Sequence, residues 1–227
     1  MSTKTFKACF YTVLTVLILI FYTKDIDLFG DNYYKNIKTI TEPDIYLVLV
    51  NKEYKLPENY VPSKLELISN EFANENKYLR EEAKIAFETL SKDAKNLGYR
   101  VVAVSTYRDY EYQDKLYNMY VKEKGIDYAD KCSARPGHSE HQTGLAVDVE
   151  GSNRDYDEFE NSKEFVWMKE NAYKYGFILR YPKGKEKITG FKYEPWHYRY
   201  VGKDVAKTIH DEKLTLEEYY DKYINLN

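Results

Sequence analysis

The sequence has 227 residues, enough for one domain with a well-buried core and a small appendage. Its 34 basic and 37 acidic side chains give a formal net charge of -3, which argues against nucleic-acid binding because that function normally needs a basic excess. The 25 tyrosines suit a peptide or sugar groove, but codon usage biased towards Tyr, Lys, Asn and Ile explains them as well. Cys9 and Cys132 lie in different parts of the chain, so no disulfide is expected and a metal becomes a candidate for stabilising the fold.

The N-terminal segment has the layout of an export signal. Lys4 and Lys7 precede residues 8–23, which contain no charged side chain. The apolar run does not end in the small residues that signal cleavage needs. A cysteine that carries a lipid would lie at the end of the run, whereas Cys9 lies at its beginning. We therefore expect residues 1–24 to form an uncleaved membrane anchor that holds the rest of the chain outside the cytoplasm. The alternatives are secretion after cleavage of the signal and a helix buried in the core.

Residues 25–44, rich in Asp, Asn and Lys, are expected to be a spacer that leads into a domain at 45–227. The apolar stretch 46–50 predicts the first strand. Apolar side chains then recur at three- and four-residue steps, which predicts an amphipathic helix over 76–97 that stops at Gly98.

The second half of the chain predicts further strands and helices. Capping-box spacing marks two helix starts, Asn161 with Glu164 and Thr215 with Glu218. In chain order we expect a strand at 101–106, a helix at 109–124, a strand at 144–149, a helix at 161–176, strands at 177–180 and 194–200, and two short helices. Since strands and helices do not alternate regularly, the pattern predicts an α+β domain with a central, mainly antiparallel sheet flanked by helices.

One stretch that suits metal binding reads S-E-H-Q-T-G-L-A-V-D at 139–148. Side chains alternate between the faces of a strand, so the core face is expected to hold Leu145, Val147 and Val149. The opposite face then carries Gly144, Ala146 and Asp148. Two small residues beside a carboxylate would leave an open floor for a substrate, and His141 could reach over it towards Asp148.

A second stretch is E-P-W-H at 194–197. Two histidines and one carboxylate leave an open position on a tetrahedral zinc, as catalytic sites require. A further carboxylate, Glu194, could accept a proton from water. Glu194 and His197 would face opposite sides of a regular strand, so either Pro195 marks a bend or Glu194 precedes the strand.

A third stretch places Arg108 at the end of a predicted strand and Gln113 on the next helix. A guanidinium group binds a carboxylate or a developing oxyanion through parallel hydrogen bonds. The alternative for Arg108 is a structural ion pair at the surface.

Together these stretches closely resemble the VanY-type D-alanyl-D-alanine carboxypeptidases, a family of zinc peptidases. The family signatures are S-x-Y-R with Gln five residues after the Arg, S-x-H-x-x-G-x-A-x-D, and E-P-W-H. They occur here in the same order, at 105–113, 139–148 and 194–197, within a resemblance that spans about 45–220. The resemblance implies an α+β fold shared with the hedgehog signalling domain.

The resemblance also implies a role for each signature residue. The zinc ligands would be His141, Asp148 and His197. Glu194 would be the general base, and Arg108 would polarise the scissile carbonyl or grip the substrate. Gln113 and Ser139 would help to hold the terminal carboxylate. The expected reaction is zinc-dependent hydrolysis of the terminal D-Ala-D-Ala bond of peptidoglycan stem peptides by a membrane-anchored monomer.

Two alternatives stay open at this point. The same site could cut the L-Lys–D-Ala bond of a tetrapeptide or an internal crosslink, since the signatures do not define the subsites. A non-catalytic, metal-dependent binding module is the other, and a base and an arginine beside the three ligands argue against it.

Overall fold

Eight strands lie within residues 34–224, the part of the chain that the structure, a computed structural model, describes. In chain order they are β1 (Lys38–Thr39), β2 (Tyr54–Lys55), β3 (Leu65–Leu67), β4 (Tyr78–Arg80), β5 (Val102–Ser105), β6 (Ala146–Glu150), β7 (Phe177–Leu179) and β8 (His197–Tyr200). β5, β6, β8 and β7 form one antiparallel sheet in that order. β1 and β2 pair in parallel, and β3 and β4 pair antiparallel.

Helices connect these strands throughout the same region. The α-helices are α1 (Glu81–Asn96), α2 (Tyr110–Lys124), α3 (Ile126–Cys132), α4 (Lys163–Asn171), α5 (Glu186–Thr189), α6 (Lys203–Glu212) and α7 (Leu216–Tyr219). Short 3-10 segments occur at Glu140–Thr143, Phe159–Asn161 and Ala172–Tyr175, and a π-helical turn at Tyr220–Ile224. The predicted α+β fold with a mainly antiparallel sheet is confirmed.

The predicted anchor at 1–24 lies outside the described residues. Between residues 34 and 224, no helix combines the length and the apolar character that crossing a bilayer requires.

The central strand β6 contributes one face to the main core. Leu145, Val147 and Val149 are fully buried there, as the alternation predicts, against the apolar face of α1. The prediction of an open floor on the other face is wrong for Gly144 and Ala146. Ala146 is fully buried, and Leu65 of β3 and Arg80 of β4 cover Gly144.

The predicted helix at 76–97 begins five residues late, at Glu81. Residues 78–80 form β4 instead, because their backbone finds partners outside a helix. The Tyr78 N–H donates to Thr106 Oγ1 (3.0 Å), and the Arg80 N–H donates to the Gly144 carbonyl (2.9 Å). Leu79 is buried, as the periodicity implies, but from a strand.

The predicted strand at 46–50 is wrong. Its apolar side chains Val48 and Val50 are buried, but no ladder forms there. The carbonyl groups of Tyr46 and Val48 accept hydrogen bonds from the Arg199 guanidinium (3.0 and 2.8 Å). The buried Arg199 side chain therefore supplies the hydrogen bonds that a neighbouring strand would otherwise donate to these carbonyl groups.

Residues 34–44 are the described part of the spacer predicted at 25–44. They belong to the compact unit that begins at Tyr34, and β1 pairs with β2 inside it. The N-terminal part of the unit thus includes residues that composition alone assigned to a linker.

The remaining elements differ from expectation only in detail. Ser162, not Asn161, caps α4, while Glu164 accepts from Ser152. The capping box of Thr215 and Glu218 is confirmed. Helix α3 was not predicted.

Gly144 and Gly98 form a matched pair for testing how tightly β6 is fixed. Both have positive φ angles (67° and 81°), which cost other residues about 1–2 kcal/mol. A Cβ on Gly144 would lie 2.9 Å from Leu65 Cδ2, whereas one on Gly98 would meet no described atom within 4 Å. We expect Gly144→Ala to lower the free energy of unfolding by about 1–3 kcal/mol more than Gly98→Ala does. Urea titrations of both variants measure this, and equal losses would contradict it.

Candidate metal centre

The pairing of three strands brings chemistry-bearing side chains into one row. In the sheet register, Asp148 of β6 lies opposite His197 of β8 on one side and Ser105 of β5 on the other. A register shift between Ala103 and Ser105 produces the second of these pairs. Two residues far apart in sequence, Asp148 and His197, therefore become neighbours through backbone pairing.

His141 reaches the same place from the turn before β6. The 3-10 segment Glu140–Thr143 ends at Gly144, whose left-handed φ of 67° turns the chain into the strand. The His141 Nδ1 lies 2.7 Å from the Thr106 carbonyl. Since a carbonyl only accepts, Nδ1 carries the proton and Nε2 keeps its lone pair. That Nε2 lies 3.3 Å from Asp148 Oδ2.

His197 completes the cluster. Its Nδ1 lies 2.9 Å from Asp148 Oδ1. One ligand atom from each of His141, Asp148 and His197 lies within 4.8 Å of the other two. Two imidazoles and one carboxylate are the donor set of catalytic zinc sites with an open position, so the residues present fit such an ion.

The charges of the cluster also suit a cation. Burial disfavours ionisation of Asp148, but His141 and His197 outweigh burial and hold the pKa of the carboxyl well below its usual range. Burial likewise disfavours the charged form of His197, yet the neighbouring carboxylates of Asp148 and Glu140 raise its pKa to about 9. Burial lowers the pKa of His141 to about 4. The carboxylates thus favour a positive charge at this point.

Glu194 lies beside the cluster without joining it. Its Oε2 is 4.0 Å from His197 Nδ1. Burial raises the pKa of Glu194 to about 7, a value at which a carboxylate can both take and release a proton. A turn at 195–196 separates it from β8, and the His197 N–H donates to the Glu194 carbonyl (3.2 Å). Glu194 therefore precedes the strand, which is one of the two arrangements expected from the sequence.

Arg108 lines the cleft and is bonded to the segment that carries His141. Its backbone N–H donates to the His141 carbonyl (3.3 Å), and Nη1 donates to Ser105 Oγ (3.1 Å). The buried Nε has no hydrogen-bond partner among the described residues. The guanidinium thus retains donor capacity at the cleft wall.

The two residues expected to hold a substrate carboxylate differ in position. Ser139 lines the cleft and is buried. Gln113 is also buried, but it does not belong to the lining. Its Nε2 donates to the Ala134 carbonyl (2.7 Å) and to Ser133 Oγ (3.2 Å), and both of those residues line the cleft. Gln113 thus supports the wall, and direct substrate binding by it stays a prediction.

The cluster opens into a cleft of about 770 Å³. Asp148 and Glu150 of β6 contribute carboxylates to its wall. Its aromatic lining consists of Tyr78, Tyr107, Tyr112, Tyr120, Tyr128, Tyr156, Tyr181, Phe191 and Trp196. A cleft of this size and mixed character suits a peptide.

The sequence did not reveal a buried ion network behind His197. Glu140 Oε1 accepts from Arg180 Nε (2.8 Å) and Arg199 Nη1 (2.7 Å). Arg180 also binds both carboxylate oxygens of Glu217 (2.8 and 2.6 Å). The signal that could have indicated it is the presence of arginines within the apolar strand segments 177–180 and 194–200.

Comparisons with known proteins identify the family. The family model VanY, D-alanyl-D-alanine carboxypeptidase, matches residues 76–203. YodJ of Bacillus subtilis (strain 168) is 48% identical over 193 residues, which cover 82% of this chain and 71% of YodJ.

Solved structures extend the comparison. The LdcB LD-carboxypeptidase has a TM-score of 0.78 and 47% identity, with 83% of this chain and 91% of LdcB covered. VanYB in complex with D-alanine-D-alanine has a TM-score of 0.68 and 34% identity, covering 78% and 98%. A VanY mutant from the VanB-type resistance cassette, in complex with Zn(II), has a TM-score of 0.67 and 34% identity, covering 77% and 98%.

The match to the family model covers more than half of the chain, and the three sequence motifs at 105–113, 139–148 and 194–197 lie within it. The chain belongs to the VanY family of D-alanyl-D-alanine carboxypeptidases and is a peptide-hydrolysing enzyme.

Proposed function

We propose that this protein is a zinc carboxypeptidase that releases the C-terminal D-alanine of peptidoglycan stem peptides. The observation that carries the proposal is the joint placement of a three-ligand cluster, a buried carboxylate and an arginine in one cleft. The zinc in the related VanY structure supports the choice of metal.

The ion would be held by His141 Nε2, the Asp148 carboxylate and His197 Nδ1, the atoms that face one another. Zinc in such a site acts as a Lewis acid and lowers the pKa of water from 15.7 to about 7.

The surrounding residues supply proton transfer and orientation. The Glu194 carboxylate takes a proton from the attacking water and delivers it to the amine of the departing D-alanine. Arg108 donates parallel hydrogen bonds to the free carboxylate of the substrate, with Ser139 beside it. The aromatic walls exclude water from the peptide on either side of the scissile bond.

Two bonds are candidates for cleavage. The sequence analysis predicts the D-Ala-D-Ala bond of a pentapeptide, and VanYB in complex with D-alanine-D-alanine supports it. The greater likeness to LdcB, at 47% against 34% identity, favours the bond between the third residue and D-alanine in a tetrapeptide. We propose the tetrapeptide as the preferred substrate and the pentapeptide as the alternative.

The proposed substrate lies outside the cytoplasm. We propose that the uncharged run at 8–23, preceded by Lys4 and Lys7, anchors a monomeric enzyme on that side of the membrane. Co-sedimentation of the chain with membranes tests the anchor.

The first prediction concerns the reaction. Purified protein should contain zinc and release D-alanine from a stem tetrapeptide faster than from a pentapeptide. A chelator should abolish release from both, because the ligand cluster is the centre of the site. Faster release from the pentapeptide would favour the D-Ala-D-Ala bond as the preferred site of cleavage. A zinc-loaded protein that releases D-alanine from neither peptide would contradict the proposal.

A second prediction isolates the base. Glu194→Gln should lower kcat by about 10²–10⁴-fold, since an amide cannot accept the proton. Bound zinc, measured by metal analysis, should stay at the wild-type level because Glu194 lies outside the ligand set. His141→Ala is the matched control and should lose both zinc and activity. Near-normal turnover by Glu194→Gln would rule out this role.

A third prediction concerns Arg108. Lysine keeps the charge but lacks the planar fork, so Arg108→Lys should lose much of the discrimination between peptides with a free C-terminal carboxylate and their amides. The measurement is the ratio of kcat/KM for the two substrates. If both values fall by the same factor and the ratio stays constant, Arg108 acts on the scissile carbonyl instead.

A further inference from the structure

The two oxygens of the Glu140 carboxylate contact different kinds of side chain. Its side chain is fully buried, and Oε1 alone accepts both arginine hydrogen bonds, from Arg180 and Arg199. Oε2 has no hydrogen-bond partner within the described part of the chain, but it lies 3.5 Å from His197 Nε2. That Nε2 is also buried and lacks a partner among residues 34–224. Two unpartnered polar atoms, one able to accept and one able to donate, therefore face each other.

The direction of this contact follows from the other ring nitrogen. His197 Nδ1 lies 2.9 Å from Asp148 Oδ1 and belongs to the ligand cluster, so a metal ion bound there would take the lone pair of Nδ1. A neutral imidazole with a lone pair on Nδ1 carries its proton on Nε2. The Nε2–H then points at Glu140 Oε2, which accepts no hydrogen bond from any other described residue.

We propose that Glu140 is a positioning residue for the metal centre. By accepting from His197 Nε2–H, it fixes the tautomer and the orientation of the ring that presents Nδ1 to the metal. This inference rests on the ligand set of the proposed function and adds a residue to it.

The surroundings hold Glu140 in place for this role. Arg199 is tied to the carbonyl groups of Tyr46 and Val48, and Arg180 is tied to Glu217 on α7. Two anchored arginines on the same oxygen leave the carboxylate little freedom to rotate. Both arginines bind Oε1, and Oε2 is left facing the histidine.

Glu140→Gln tests the proposal directly. The two arginines require the amide oxygen, so the amide NH₂ would face the His197 Nε2–H, and donor would meet donor. We expect zinc to bind about 10–100-fold more weakly, as measured by competition with a chromophoric chelator. In the zinc-loaded wild type, NMR should show a hydrogen-bonded Nε2–H resonance from His197, and the variant should lose it.

Two further variants separate positioning from general stability. Glu164→Gln removes another buried carboxylate, one that accepts from Ser152 and the Arg100 N–H and does not line the cleft, so it should leave zinc affinity and the His197 resonance unchanged. Glu140→Asp keeps the charge that the arginines need for folding but shortens the side chain, and it should also weaken zinc binding.

The outcomes are distinct. Wild-type zinc affinity in folded Glu140→Gln and Glu140→Asp, with the His197 resonance retained, would overturn the inference and leave the proposed function intact. Equal weakening by Glu164→Gln would overturn it as well, because loss of any buried carboxylate would then suffice. A wild-type protein that binds no zinc would overturn the proposed function itself.

Discussion

The antiparallel register of β6 is the constraint on which the site depends. It places Asp148 opposite His197, while the shifted pairing with β5 sets Ser105 on the other side of Asp148. Side chains alternate along a strand, so a slip of one residue would turn Asp148 into the core and an apolar side chain into the cleft. The fully buried side chains of Leu145, Val147 and Val149 oppose this slip, since each stabilises the fold by about 1.5–3 kcal/mol through burial. The core therefore fixes the metal geometry together with the fold.

Burial disfavours ionisation of both Glu140 and Glu194 beside His197, and the partners of each carboxylate decide whether its pKa falls or rises. Glu140 is buried against Arg180 and Arg199, and these charges outweigh burial and hold the pKa of the carboxyl well below its usual range. Glu194 is 4.0 Å from the His197 ring, beyond hydrogen-bond distance, so burial dominates and raises its pKa to about 7. One carboxylate is thereby kept ionised as a fixed acceptor, and the other keeps a proton affinity suited to exchange with water.

The sequence predicts contacts between residues that are close together along the chain, and it does not predict contacts between distant ones. His141 and Asp148, or Glu194 and His197, are separated by a few residues, so a turn and a strand are enough to place them. The partners of Glu140 are Arg180, which follows β7, and Arg199 and His197 of β8, and no local pattern connects them. The same limit explains the wrong strand at 46–50: its apolar pattern is real, but its carbonyl groups bind Arg199. Periodicity likewise identified Leu79 as buried and could not tell that β4 precedes the helix.

The ion network also explains why the compact unit is larger than the motifs require. Arg199 ties the segment around Val48 to Glu140, and Arg180 ties α7 to the same carboxylate through Glu217. Segments near both ends of the described chain thus meet at a residue adjacent to a metal ligand. Buried charges of this kind stabilise a fold little compared with apolar side chains of equal volume, so their presence here needs another reason. Holding the His197 imidazole in one tautomer is such a reason. An apolar core could exclude water from His197, but it could not accept a hydrogen bond from the Nε2–H group.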